Sequence, residues 1–527
     1  MSFDEPDQTS LHLSNLLGEL ADPVGQQTQR DASGLQHRLL ADLPVTDAGR
    51  IVSWLDRNGT AYAYSYDDHG RVVATEGSGG CLSGTLAYDD ETRTTKVTNS
   101  LGHTSYYEHN EASRLVRRTD PLGHVTHQEW DNQGRLVSVT DPLGHTRQFT
   151  YDEAGLLASA IRPDGRGTFV EYNELGQPVR VTGPSGLTRH QTFDARGNLT
   201  AATDAAGAQI RFAYNSAGHL TGVTDPLGHT AHIRCDKAGL PIQVVDPLGA
   251  VTDYERDAFG RPVTVTDPLG AVTRLTWTVE GGLARRVMPD GSEETATWDG
   301  EGNCTARTDA LGTVSRFEYT HFDRVAARIG PDGSRYEFTY DTELRLVQVL
   351  NPQNLTWTYA YDPAGRLTSE TDFDGRTISY EYDQAGRVVA RTTPLGDRIS
   401  TSYDALGRIT SKDVAGHTTH YTYDAADNLV RLSSPTSTMT FECDALGRPL
   451  SEAVDGRTTR YTYDLLGRVT SRTTPTGAVS EFAYDAAGNR TSVSSDGRTL
   501  VFAHDARGRE VSRAFGRSDE PVTITSA

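Results

Sequence analysis

The sequence predicts an all-β protein: about 23 β-hairpin repeats of ~21 residues forming a continuous spiralling antiparallel sheet, an open or partial hollow shell. Three observations predict it. A short motif returns at a fixed period, each copy holds two alternating stretches rich in β-formers, and each stretch is bounded by Asp/Gly turn chemistry. The clearest copies place Tyr361, Asp362, Gly365 and Arg366 in one unit, Tyr382, Asp383, Gly386 and Arg387 in the next, and Tyr403, Asp404, Gly407 and Arg408 in the one after. Tyr463, Asp464, Gly467 and Arg468 carry the same pattern further along, and Tyr151, Asp152 and Gly155 carry most of it earlier. The first position of the frame falls at 45, 66, 88 and 109, then every 21 residues from 130 through 403, then at 423, 443, 463, 484 and 504, which makes 23 units.

The stretch from Thr146 to Gly165 shows how one unit builds structure. Thr146 to Tyr151 alternates and is rich in β-formers, so it reads as a strand. Asp152 to Gly155 is a turn, because the Asp side chain can bond backbone groups two residues on and Gly tolerates positive φ. Leu156 to Ile161 is the returning strand, and Pro163-Asp-Gly165 reverses the chain again, as Asp141-Pro-Leu-Gly144 does one unit earlier. The turn chemistry persists: the second position is Asp or Asn in 20 of the 23 units and Thr in three, at Thr46, Thr278 and Thr320. Gly fills the fifth position in 18 units, the exceptions being Thr92, Ser113, Asp323, Leu344 and Asp427. Ring pairs such as Tyr64/Tyr66, Phe149/Tyr151, Tyr359/Tyr361, Tyr380/Tyr382 and Tyr461/Tyr463 are spaced by two, which puts both rings on one face of a strand. No helix is needed within a unit. About 46 strands at roughly 4.8 Å make a sheet on the order of 220 Å wide, and strand twist forces so wide a sheet to coil into a spiral, a tube or a hollow shell.

Composition narrows the function classes. Only 36% of the residues are hydrophobic and the mean hydropathy is -0.52, which suits a broad sheet with one polar face. A net charge of -21 argues against a nucleic-acid partner, whose phosphates demand a Lys/Arg-rich surface. No apolar run is long enough to span a membrane, and Met1 to Leu20 lacks the basic and apolar regions of a signal peptide. The four cysteines at 81, 235, 304 and 443 form no paired framework. Cys235 and Cys443 occupy the slot usually held by Tyr and Cys304 that of Leu, so they read as small wall residues.

The recurring Tyr-Asp-x-x-Gly-Arg-Leu/Val motif, with its Asp-Pro-Leu-Gly turns, resembles the RHS/YD-repeat family from about Val45 to Arg509. The resemblance implies a spiralling β-shell that encloses a cargo. In bacterial polymorphic toxins and toxin-complex components of that family the cargo is a C-terminal toxin released by self-cleavage, and in teneurins a similar shell serves adhesion. Bacterial members typically end the shell with an Asp-Pro-x-Gly-Leu motif for aspartate-dependent cleavage. Here Asp120-Pro-Leu-Gly-His124, Asp225-Pro-Leu-Gly-His229 and Asp267-Pro-Leu-Gly-Ala271 lack the final Leu and recur in phase, so they read as repeat turns. The expected organisation is a non-repeat segment over 1–44, with a decayed repeat at Asp22-Pro-Val-Gly25 and Asp31-Ala-Ser-Gly34, followed by the β-shell over 45–527. The last repeat is expected to be truncated in a strand at Pro521-Val-Thr-Ile-Thr525, with no cleavage motif or toxin after it.

Other candidate sites weigh toward structure. The pairs His124/His127, His229/His232 and His417/His420 have metal-like spacing on a helix, but an odd separation on a strand points side chains to opposite faces. His103, His124, His145 and His229 share one phase beside a turn Gly and read as polar turn flanks. None of the 71 acidic residues stands out as a paired acid and base, and there is no nucleophile elbow or phosphate-binding Lys loop. The glycines around Gly77, Gly79 and Gly80 interrupt the frame and read as an enlarged loop, with phosphate binding as the second reading.

The expectation is therefore a non-enzymatic structural shell segment with no catalytic, cofactor or metal site. Its partner would be an encapsulated toxin or other protein cargo in a secreted or cell-surface system. The alternative is a surface-associated adhesion or carbohydrate-binding repeat protein that uses its aromatic stripes on a cell-surface glycan. Uncapped sheet edges imply self-association in either case.

Overall fold

The computed structural model describes residues 44–516 and 522–525; the decayed repeat expected around Asp22 and Asp31 lies outside them. The described residues hold 46 strands, from Ser53–Leu55 to Val522–Thr525, all in one sheet and matching the two strands per unit read from the sequence. The registered pairings join each strand antiparallel to its neighbour in the chain, as Thr146–Tyr151 is joined to Leu136–Thr140 before it and Leu157–Ile161 after it. Among the described residues there is no α-helix, and two three-residue 3-10 segments, Ser78–Gly80 and His321–Asp323, interrupt the strands.

Turn chemistry sets the hairpin. The Asp152 amide donates to the Leu156 carbonyl at 2.9 Å and the Gly155 amide to the Asp152 carbonyl at 3.0 Å, with Gly155 at φ 85°. That use of Leu156 is why the returning strand begins at Leu157, one residue later than the alternation alone suggests. Just inside the turn the ladder slips. Thr150 faces Ser159, but Tyr151 faces Leu157, so a bulge sits at the first position of the frame. The same slip recurs at Tyr172, Tyr214, Tyr340, Tyr382, Tyr403, Tyr463 and Tyr484.

Four of the five units without the turn Gly keep its left-handed backbone: Ser113 at φ 58°, Asp323 at 58°, Leu344 at 60° and Asp427 at 69°. The fifth differs from the frame. Gly84–Asp89 pairs with Thr94–Thr98 without a bulge, and the positive φ falls on Arg93, at 54°, in place of Thr92.

The two faces are unlike. In Thr356–Tyr361, Trp357, Tyr359 and Tyr361 are half-buried while Thr356, Thr358 and Ala360 are exposed. The aromatic side chains lie on the less exposed face, and the polar opposite face fits the low hydropathy. The best-buried apolar patch is Ile210, Val223 and Ile233, with Phe212, Leu220 and Cys235 against them. By proximity the described chain divides into two compact units, residues 44–166 with 276–418, and residues 167–275 with 419–525.

Candidate functional site

The residues that define the motif meet at the junction between consecutive repeats. In the unit at Asp383, one carboxylate oxygen accepts the Ala385 and Arg387 amides at 2.9 and 3.0 Å, and the other accepts Arg387 Nε at 2.7 Å. The guanidinium held in this way lies over the ring of Tyr403 in the next repeat, 4.8 Å from its centre, and donates through Nη1 to the Asp404 carbonyl at 3.0 Å. The Tyr403 hydroxyl reaches back to the Val388 carbonyl at 2.7 Å. Val388 is the residue set opposite Tyr382 by the bulge, and it directly follows Arg387 in the chain. This repeat thus holds its own arginine with an aspartate and passes that arginine to the next ring. The ring's hydroxyl then satisfies a carbonyl of the repeat before it.

The same set recurs along the chain. Asp341 and Arg345 hold Tyr361, which bonds Leu346; Asp362 and Arg366 hold Tyr382, which bonds Leu367; Asp464 and Arg468 hold Tyr484, which bonds Val469. Arg135 lies 4.7 Å over Tyr151, whose hydroxyl donates to the Leu136 carbonyl at 2.8 Å. Arg408 is fixed on Asp404, and Tyr463 bonds the Pro449 carbonyl with Arg448 over its ring. The enabling glycines all have positive φ: Gly365 at 85°, Gly386 at 83°, Gly407 at 87° and Gly467 at 79°. At Asp152 a leucine stands where the arginine would be, and the aspartate still accepts the Leu156 amide at 2.8 Å.

Electrostatics follow this geometry. Burial by itself would raise the Asp383 and Asp404 carboxyls, but the amide and guanidinium bonds from Arg387 and Arg408 outweigh it and hold both below the ordinary carboxylate value. At Asp131 the Arg135 amide is the chief cause of a lowered value. Burial raises the Tyr361, Tyr382 and Tyr403 phenols, so they stay protonated as donors. Tyr380, two positions before Tyr382 on the same strand, is pushed up to about 12 by burial and by its bond to Glu370.

The hydroxyl's role could be found in the sequence only by asking what the first-position residues share. Trp130 and Trp298 fill that slot and donate to the Leu115 and Leu283 carbonyls, Arg256 donates to Pro241, and the Cys235 thiol lies 3.5 Å from the Leu220 carbonyl. All the occupants except Val45 and Phe193 carry a donor. Cys235 is thus more than a small wall residue: it takes the donor's place. All four cysteines are free and half-buried, and burial pushes each thiol up.

The histidines divide. His124, His145 and His229 each place Nδ1 3.0 Å from an aspartate of their own turn, Asp120, Asp141 and Asp225, in the position an arginine takes at the other turn. His127, His232, His417 and His420 are exposed on their strands. Among the described residues no three His, Cys, Asp or Glu side chains gather as a metal site. The Asp-Pro-Leu-Gly segments are hairpin turns: the Asp120 carboxylate accepts the Leu122 and His124 amides, and the Gly123 amide donates to the Asp120 carbonyl. The described surface includes an open, hydroxyl-rich dip of about 500 Å³ lined by Thr462, Ser471, Glu481, Ser492 and Ser494. No described helix is long and apolar enough to cross a membrane.

A family model for the RHS repeat matches residues 46–80, 130–166, 172–209, 193–230, 236–272, 298–335, 340–377, 374–398, 403–439 and 444–479, well over half of the chain. The chain belongs to the RHS-repeat family. Among solved structures this RHS-repeat chain is similar to TcdB2-TccC3, with a TM-score of 0.68 at 13% identity over 92% of its length. It covers 36% of that chain, about a third of it, and at this identity the likeness is one of fold. TcdB2-TccC3 without its hypervariable C-terminal region matches less well, at a TM-score of 0.48 and 14% identity over 89% of this chain and 30% of that one. The Photorhabdus luminescens Tc holotoxin pore gives 0.46 at 13% identity over 92% and 29%. No curated protein matches the sequence.

Proposed function

We propose that this RHS-repeat chain is a segment of a protein wall that encloses a toxin or another protein cargo, and that it acts by enclosure and not by catalysis. The observation that carries this reading is the junction itself. The aspartate and arginine of the motif pair within a repeat, the arginine reaches a backbone carbonyl of the next repeat and the tyrosine hydroxyl a backbone carbonyl of the one before, so the most regular polar residues of the chain serve to join the sheet. The fold shared with TcdB2-TccC3 supports it. On this reading residues 45–527 act as one repeat domain, the Asp-Pro-Leu-Gly turns are structural and not cleavage sites, and the chain works within an exported toxin system.

The test is co-expression with the proteins encoded beside it, followed by native mass spectrometry and protease challenge. A bound protein that resists protease while the sheet is intact, and is digested once urea opens the sheet, is the expected result. A chain that purifies without cargo and binds glycans saturably would overturn the reading in favour of adhesion.

A further inference from the structure

Two irregular stretches of the described array meet. Residues 77–83 form the enlarged loop after Val72–Gly77, and residues 320–324 form a turn in which Phe322 and Asp323, neither of them glycine, have φ of 61° and 58°. Consecutive left-handed residues with side chains are costly unless surrounding contacts hold them. Here the Phe322 ring packs edge-on against Trp54 and Tyr62, with centres 6.2 and 6.1 Å apart. Gly77 leaves the space for it: a Cβ there would stand 2.9 Å from Phe322 Cζ and 1.9 Å from the Cys81 carbonyl oxygen.

Hydrogen bonds extend the contact on both sides. The Leu82 amide donates to the Thr342 carbonyl at 2.7 Å, and the Leu82 carbonyl accepts the Tyr62 hydroxyl at 2.8 Å. The Ser100 amide donates to Glu343 Oε1 at 3.0 Å, across a separation of 243 residues. The Arg57 amide donates to Glu301 Oε1 and Asn58 Nδ2 to Asp299 Oδ2, both at 2.8 Å. These partners are turns of the 44–166 stretch on one side and turns of the 276–418 stretch on the other, and both stretches belong to one compact unit.

We infer that the loop at residues 77–83 and the turn at residues 320–324 are a matched clasp, in which Phe322 seated against Trp54, Tyr62 and Gly77 fixes the register between these two stretches of sheet. The regular junctions link only neighbouring repeats, so they leave that register free. The departures from the frame at Gly77 and Phe322 are the two halves of the device that sets it. The inference stands apart from the cargo reading and concerns how one part of the sheet is held against another.

Amide hydrogen exchange reads the clasp directly, because the Leu82 and Ser100 amides donate across it while the Leu143 amide bonds only to Asp141 in its own turn. In Phe322→Ala the Leu82 amide should exchange at least tenfold faster, with Leu143 unchanged. In Glu343→Gln, which keeps the side-chain shape and so guards against a variant that misfolds, the Ser100 amide should exchange several-fold faster with Leu143 again unchanged. Unaltered Leu82 and Ser100 rates would overturn the clasp. So would equal acceleration of all three amides, which would show that Phe322 holds the sheet and not its register.

Discussion

Replacing Tyr382 with phenylalanine isolates the hydroxyl of one junction. The ring remains, so Arg366 keeps its place 4.8 Å over it, and only the 2.7 Å bond to the Leu367 carbonyl is lost. A neutral hydrogen bond contributes about 1 kcal/mol net. Leu367 is half-buried, so water recovers part of that loss, and the expected cost is roughly 0.5–1.5 kcal/mol. In a repeat array such a loss appears as local opening. Native-state hydrogen exchange on peptides spanning residues 362–388 should therefore show an opening equilibrium about fivefold more favourable, taking RT as about 0.59 kcal/mol. Peptides several repeats away should be unchanged. Tyr382→Leu also removes the ring beneath the guanidinium, a contact of roughly 0.5–1 kcal/mol, and should open the same peptides further. If Tyr382→Phe matches the wild type and only Tyr382→Leu differs, the hydroxyl is incidental and the junction depends on stacking alone.

Leu344 takes the place of the turn glycine at φ 60°, so Leu344→Gly should stabilise the protein by roughly 0.5–1 kcal/mol in urea unfolding; a loss of stability would sink the argument. The junction aspartates also set the acid response. Asp131, Asp383, Asp404 and Asp444 are held below the ordinary value of 3.8, so their contribution is complete above that pH and is lost as pH falls through their lower folded values. Thermal melts followed by circular dichroism should show this part of the stability intact near neutral pH and declining below about pH 4. A chain as stable at pH 3 as at pH 6 would contradict that sign.

What the sequence disclosed depended on how far each interaction reaches. Asp383 bonds amides two and four residues on and Gly386 answers a local φ, so turn, strand and repeat could be read from short windows. The strand Thr146–Tyr151 has the bounds its alternation predicts. The Tyr403 hydroxyl acts 15 residues back, on a carbonyl beside a bulge, and nothing local to Tyr403 announces that partner. Arg387 was visible as a repeated letter, but its two tasks, one for its own aspartate and one for the next ring, require both strands in place. Phe322 was legible only as part of a unit lacking its glycine, because its meaning lies with Trp54 and Gly77.

The clasp separates two kinds of length in this chain. A junction reaches only from one repeat to the next, so duplication or loss of whole 21-residue units leaves every junction with a valid partner, and copy number can drift in evolution without local penalty. Between Leu82 and Thr342 that freedom ends. One unit gained or lost there would carry Thr342 and Phe322 a full hairpin past their mates, so in that interval the repeats are counted.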